Sequence, residues 1–229
     1  MKNRYLIIAA HPDDDVLGCG GTLSKIGKKN LIKVIFIGEG SSCRFQLHSS
    51  NQKLINKAIQ NRENCAKKAL HYLGIKNYKF YNLPCGRLDT IPILEINKII
   101  ENEVNQFSPD IIFTHSENDC NNDHRIIFRS SMMATRPLAK KIVKKVYSYE
   151  VLSSSEWNYT EQFNPNYFEI LSEQNVKSKW KALNFYKSEI QKFPHPRSRE
   201  GIYSLAKLRG LQAGEKYAEA FKLIREFNK

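Results

Sequence analysis

Hydrophobic residues recur along this chain in short two-faced runs that alternate with segments of helical period. Residues 5–10, Tyr-Leu-Ile-Ile-Ala-Ala, are apolar on both faces, as a strand buried in a parallel sheet must be. A glycine-rich turn at 18–21 leads into a helix to about residue 29, and 31–37 is a second buried strand rich in β-branched residues. The polar stretch 38–50 reads as loop, with Ser49 or Ser50 placed to cap a long helix over 51–73. That helix carries Leu54, Ile55, Ala58, Ile59, Cys65, Ala66, Ala69 and Leu70 on its apolar side, and Gly74 ends it. A short strand follows at 78–81. Thr90 is placed to cap the next helix, with Pro92 in its first turn and Ile93, Ile96, Ile100 and Val104 on one face. Residues 110–114 read as a strand, 123–134 as a helix stopped by Pro137, and 146–151 as a strand. Beyond Leu152 the rhythm changes. There 168–171 suits a strand, 176–190 and 199–211 suit helices, and 217–225 fits a helix or an edge strand.

This β-α-β-α succession predicts an α/β fold of three layers around a mostly parallel sheet, with a C-terminal elaboration, in one domain over 1–229. The hydrophobic fraction of 41% excludes wholesale disorder. No apolar run approaches the ~18 residues of a membrane span. The run at 5–10 is too short for the core of a signal peptide, so the expected address is cytoplasmic. Five cysteines, odd in number and without a C-x-x-C pair, predict reduced thiols rather than a disulfide framework or a zinc ribbon.

The net charge of +13 suggests an anionic partner: nucleic acid, a membrane surface or an anionic substrate. The excess is uneven, with 13 Lys/Arg against 5 Asp/Glu over 176–229 and a second cluster at Arg136, Lys140, Lys141, Lys144 and Lys145. No basic run interleaves with aromatics as a base-stacking platform would. Abundant Lys, Asn and Ile also fit a genome bias. The expectation is therefore no nucleic-acid partner and no stable membrane insertion.

Two segments carry unusual chemistry. Ala10-His11-Pro12-Asp13-Asp14-Asp15 follows the first strand, and residues 115–125, from His115 to Asp123-His124-Arg125, follow the 110–114 strand. Open parallel sheets bind ligands outside the carboxyl ends of their strands, near the switch point. If the two strands are neighbours, the loops face one another and offer His plus carboxylate from each side. Two His and one carboxylate with water fourth is a zinc hydrolase set, and the same donors hold ferrous iron. Three consecutive aspartates do not all ionise cheaply in a cleft, and a cation offsets their repulsion. The rival motif fails: G-x-G-x-x-G begins at Gly18 and Gly20, but Leu23 occupies the third glycine position. Close helix–sheet packing is the better role for these glycines. The sequon Asn158-Tyr159-Thr160 has no weight without a signal peptide.

The segment from Ala10 to Gly21 resembles the AHPDDE opening of the LmbE-like, or PIG-L, zinc-dependent de-N-acetylases, and 119–125 resembles that family's second motif. Supporting matches are Arg62-Glu63, Tyr149-Glu150-Val151, residues 153–157, His195-Pro196-Arg197-Ser198 and residues 217–221, so the resemblance spans nearly the whole chain. It implies a Rossmann-like fold and hydrolysis of an N-acetyl group on a sugar or sugar conjugate. It implies His11, Asp14 and His124 as ligands of Zn2+, with Fe2+ as the other candidate, and Asp13 as general base. Homo-oligomers are common among its members.

The chain departs from the family pattern in two places. Asp15 replaces a glutamate, and Asn121 stands where some relatives carry a histidine. Asn121 donates a hydrogen bond but carries no proton, which leaves the acid open among Asp13, His115 and His195. Asp123 is placed either in catalysis or in orienting a ligand. Arg44 and Arg197 are candidates to grip anionic parts of a substrate, such as a nucleotide- or phosphate-bearing sugar. His195 and Trp157 are further substrate-binding candidates, Trp157 by stacking on a sugar face. Arg125 is expected to pack or pair near the acidic cluster. The alternatives are a metal hydrolase of another amide or ester on the same fold, and a non-catalytic, metal-stabilised glycan-binding protein.

Overall fold

One seven-stranded sheet organises the chain. The structure is a computed structural model and describes residues 2–27, 29–46, 51–137 and 139–228. The strands are β1 (Arg4–Ala9), β2 (Leu31–Gly38), β3 (Asn77–Leu83), β4 (Ile111–His115), β5 (Lys145–Tyr149), β6 (Tyr167–Ile170) and β7 (Ala218–Glu226). Their order is β3-β2-β1-β4-β5-β7-β6. β1 to β5 run parallel, and β7 lies antiparallel to both β5 and β6. The helices are α1 (Asp14–Ile26), α2 (Gln52–Tyr72), α3 (Ile93–Phe107), α4 (Asn122–Ala134), α5 (Glu173–Leu183) and α6 (Arg199–Gln212).

The strand period of two sorts the core into two layers. Ile7 and Ala9 of β1 pack with Leu17 and Leu23 of α1, Ala66 and Leu70 of α2, and Ala182 of α5. Leu6 and Ile8 pack on the opposite face with Ile96 and Ile100 of α3 and Ile127 of α4. The fold is thus a three-layer, mostly parallel α/β sheet, as the alternating pattern predicts. The strand order reverses at β1, which has β2 on one side and β4 on the other. The carboxyl ends of β1 and β4 therefore flank the switch point.

The structure revises several sequence-level expectations. The 18–21 glycines are not a turn; α1 begins at Asp14 and the glycines lie inside it. The Asp14 carboxylate in the first turn favours that early start through the helix dipole. Thr90 does not cap α3: its hydroxyl donates to Arg87 O and closes a preceding 3-10 turn, and Pro92 stands at the cap. α5 starts earlier than expected, at a capping box of Ser172 and Asn175, and stops at Leu183. The Asn184 amide turns back to Trp180 O and ends it. Segment 217–225 is strand, but interior rather than at an edge, with β6 outside it. The proposed Ser49 or Ser50 cap lies outside the described residues.

Packing explains the glycines of α1. A Cβ on Gly18 would stand 2.3 Å from Cδ2 of Tyr149, and one on Gly21 would meet Leu171 Cδ1 at 2.4 Å. Tyr149 is fully buried and its hydroxyl donates to Ile8 O, so the ring has nowhere to go. Gly18→Ala is expected to destabilise the protein. Overpacking costs about 1–3 kcal/mol, more than the ~1 kcal/mol that alanine gains in helix propensity. A denaturant midpoint at or above wild type would refute this account.

Candidate metal centre

The chain turns sharply after β1. Asp13 adopts φ +124, a region that non-glycine residues seldom occupy and that costs about 1–3 kcal/mol when held. The turn sets Asp14 as the first residue of α1 and brings its carboxylate back to accept the His11 amide at 2.8 Å. From the far side, α4 is started by Asn121, whose Oδ1 accepts the Asp123 amide at 2.9 Å. That places His124 in the first turn of α4, opposite Asp14.

His11, Asp14 and His124 converge, all buried, with donor atoms within 4.8 Å of one another. Asp14 Oδ2 lies 3.4 Å from His11 Nδ1 and 3.3 Å from His124 Nε2. Donors at ~2.0–2.1 Å from a tetrahedral zinc are ~3.4 Å apart, so the spacing fits such an ion. Among the described residues neither buried nitrogen of His124 has a hydrogen-bond partner, although carboxylate oxygens stand near both, and such a group costs free energy unless something occupies it. A second group, His11, Cys85 and Asp123, shares the first imidazole. There His11 Nε2 already meets Asp123 Oδ2 at 2.8 Å, leaving Nδ1 as the nitrogen for metal.

Both imidazoles are backed by carboxylates on their other nitrogens. Asp123 takes amide hydrogens from Gly86 at 2.6 Å and Leu88 at 3.1 Å in addition to His11. His124 Nδ1 lies 3.1 Å from Asp119 Oδ1, and Asp119 also accepts from the hydroxyls of Ser154 and Ser155. Such carboxylate–histidine pairs fix the tautomer and raise ligand basicity. Burial works against charge on both rings. Their carboxylates prevail, so His11 is pushed up to about 9 and His124 to about 10. Asp119 opens the second motif, but the sequence assigns it no role; its Asp-x-Asn spacing to the cap is the available signal. Asp119→Ala is expected to weaken metal affinity about 10–100-fold without displacing a ligand, read by chelator competition.

The three aspartates divide their roles electrostatically. Burial alone would raise Asp14, but His124 and His11 hold it well below the usual carboxylate range. Asp15 is completely buried, has no hydrogen-bond partner on either oxygen, and is pushed up to about 8 by burial and by Asp13. Burial thus favours its protonated form. Asp13 is raised by burial, against the opposing pull of two guanidiniums. Arg62 donates to Asp13 Oδ2 at 3.0 Å and Arg197 at 2.9 Å, and both also pair with Glu189.

The remaining candidates fall as follows. Arg44 binds Glu189 through both terminal nitrogens, at 2.8 and 2.7 Å. Arg44 and Arg197 are thus engaged by carboxylates rather than held free for an anion. His195 Nδ1 accepts the Arg197 amide, and its ring meets half-exposed Trp157 edge-on. His115 is fully buried, accepts the Ala10 amide at Nε2 and stacks on His124 at 4.0 Å. Burial and His124 push it well below its usual pKa, so it is neutral. Arg125 bonds Asn122 rather than the acidic cluster.

Arg197 apart, several members of the basic clusters lie away from this centre. Lys145 opens β5 at the end paired with Ile111, whereas His115 pairs with Tyr149 at the other end. Lys177, Lys181, Lys187 and Arg199 line a groove of about 650 Å³ with Tyr72, Trp180, Phe185 and Tyr203, and none of the centre's residues border it.

Two imidazoles and a carboxylate at the switch point of a parallel sheet, each imidazole backed by a further acid, form a candidate metal centre in an α/β protein. The family profile described as PIG-L, GlcNAc-PI de-N-acetylase, matches residues 6–135. The chain belongs to that family. It is 28% identical over 196 residues to the uncharacterized deacetylase YaiS of Escherichia coli (strain K12), covering 82% of this chain and 92% of that protein. Its fold matches N,N'-diacetylchitobiose deacetylase from Pyrococcus horikoshii with a TM-score of 0.77 at 19% identity, over 97% of this chain and 84% of the other. It also matches GalB, the 4-carboxy-2-hydroxymuconate hydratase of Pseudomonas putida KT2440, with a TM-score of 0.75 at 19% identity, over 100% and 98%. Among the described residues no helix is long and apolar enough to cross a membrane.

Proposed function

We propose that the protein, as one domain over 1–229, is a zinc-dependent hydrolase that removes the acetyl group from an N-acetylated sugar or sugar conjugate. The observation that carries this reading is the convergence of His11, Asp14 and His124 beside the Arg-braced carboxylate of Asp13 in a PIG-L chain. His11 Nδ1, Asp14 Oδ2 and His124 Nε2 are the donors that would hold the ion. A divalent metal so held supplies Lewis acidity to an acetyl carbonyl and to a water.

The protein's own part centres on Asp13. Arg62 and Arg197 both engage its Oδ2, which leaves Oδ1 as the oxygen to carry the proton. Burial raises the carboxyl and so makes it a stronger base than a surface aspartate. Asp13 takes a proton from the attacking water and returns it to the departing amine. No second acid is needed. Asn121 is occupied in capping α4, His115 is neutral and hydrogen-bonded to the backbone, and His195 is held by Arg197. Asp123 and Asp119 orient the ligand imidazoles. Trp157, half exposed beside His195, offers a face for a sugar ring.

The fold alone does not choose the reaction, since a hydratase shares it. The test is acetate release from metal-loaded protein across N-acetylated sugars and UDP-linked N-acetyl sugars, with metal analysis of the same preparation. Release from at least one sugar, proportional to zinc content, is expected. No acetate from any of them at full zinc occupancy would overturn the reading.

A further inference from the structure

Hydrolysis has no use for the cysteines, yet two of them meet. Cys43 lies in the 3-10 turn Ser42–Arg44 and Cys85 in the loop after β3, and their sulfurs are 3.2 Å apart. Cys43 is exposed and Cys85 is buried. The glycine beside Cys85 packs on Cys43 as well. A Cβ on Gly86 would stand 3.1 Å from Cys43 Cβ, and Gly86 has φ +69, so the loop reaches Cys43 by virtue of a glycine. A disulfide bond is ~2.05 Å long, so a sulfur displacement of about 1 Å separates the pair from bonding.

The loop bearing Cys85 also braces the metal centre. The Cys85 amide donates to Glu39, and the next residues, Gly86 and Leu88, donate to Asp123. Asp123 in turn holds His11 Nε2. Movement of Cys85 toward Cys43 therefore acts on the first imidazole through a single carboxylate.

We propose that Cys43 and Cys85 form an oxidation site at which a peroxide closes a reversible disulfide, loosening the hold of Gly86 and Leu88 on Asp123 and weakening the metal centre. Exposed Cys43 reacts first. Its sulfur attacks one peroxide oxygen, the O–O bond breaks, and one water leaves with a sulfenic acid formed on Cys43. The Cys85 sulfur then displaces that hydroxyl. The S–S bond forms, the S–O bond breaks, and the second water leaves carrying the Cys85 proton. Two thiols are oxidised and one peroxide is reduced to two waters. A small thiol reverses the bond by exchange. The site itself stands apart from the proposed deacetylation; only its effect on turnover rests on that reading.

The experiment treats the zinc-loaded full chain with one equivalent of hydrogen peroxide, then measures free thiols, intact mass, cross-linked peptides and zinc retention against a chelator. The five thiols should fall to three with a mass loss of about 2 Da, the cross-link should map to Cys43–Cys85, and a reductant should restore both. Zinc affinity of the oxidised form should fall about 10–100-fold, the range for a disturbed ligand-orienting carboxylate. Cys43→Ser should bind zinc as the reduced protein does and show no mass loss of that size; Cys43→Ala is the second variant. Five surviving thiols, or a cross-link through Cys120, would overturn the site. A Cys43–Cys85 bond with unchanged zinc affinity would overturn its coupling to the centre. If neither form released acetate while the thiols still closed, the hydrolase reading would fail and the oxidation site would stand.

Discussion

A His124→Ala protein is expected to lose its stoichiometric zinc and, with it, at least about a thousandfold in acetate release, since a catalytic metal supplies several kcal/mol of transition-state stabilisation. His124 is almost fully buried, and its Nε2 has nothing but the centre to face. The methyl group that replaces it leaves Asp14 with His11 alone. Asp119 then faces the void with its two serines, and His115 keeps its bond to the Ala10 amide, so β1 and β4 stay joined. The variant should therefore fold, which a thermal melt checks, and metal analysis by mass spectrometry gives the occupancy. The same centre sets a pH dependence in wild type. His11 at about 9 and His124 at about 10 carry protons at pH 7 until a metal displaces them. Each displaced proton weakens metal binding tenfold per unit fall in pH, so affinity should drop roughly 10–100-fold per unit below pH 9. Chelator competition at pH 6, 7 and 8 measures this slope. A flat profile, or a His124→Ala protein that keeps one zinc per chain, would refute the ligand assignment.

Much of this fold is readable because its signals are local. The two-faced apolar runs at the first two strands and the one-sided helix of α3 depend on residues within a few positions of each other. Segment 217–225 resists reading because its stabilisation is distant. Glu219 sits in the interior of β7, where a charge argues against a central strand. It is tolerated because the Gly21 and Thr22 amides and the buried Lys179 ammonium satisfy it. None of those partners is near it in sequence. The glycines of α1 mislead for a related reason. Glycine disfavours a helix locally by about 1 kcal/mol, and only the far-off Tyr149 and Leu171 explain why it is there.

The candidate site divides along the same line. His11, Asp14 and His124 are legible because two short motifs stand at two strand ends, and the parallel sheet brings those ends together. Asp123 is legible as an acid that could orient a ligand, but the partners of Asp13 are not. Arg62 reaches Asp13 across 49 residues and Arg197 across 184, and nothing local in the sequence pairs either arginine with it. The charge balance is instructive here. The +13 suggests an anion-seeking protein, yet Arg44, Arg62 and Arg197 are engaged by Asp13 and Glu189. Arg62 and Arg44 outweigh burial at Glu189 and hold it at about 2. Some of the positive surplus thus serves to keep Glu189 ionised beside the candidate metal centre.

Asp13→Asn isolates the chemical step from the metal. Asparagine matches aspartate in size and tolerates positive φ better than most residues, so the turn at φ +124 should survive. Its amide oxygen still accepts from Arg62 and Arg197, and Glu189 remains to balance both guanidiniums. Zinc occupancy should therefore match wild type. What is lost is a group that takes a proton, and kcat should fall about 10²–10⁴-fold, with KM changed far less. The pH profile gives a second readout. In wild type the acid limb reports a carboxyl raised above the usual aspartate range by burial, with activity lost as pH falls through it. At zinc concentrations that saturate the centre throughout, that limb should vanish from the residual activity of the variant, because asparagine does not titrate. An Asp13→Asn protein with wild-type kcat would refute the assignment of the base. Equal loss of kcat and of zinc would instead make Asp13 part of the metal's support.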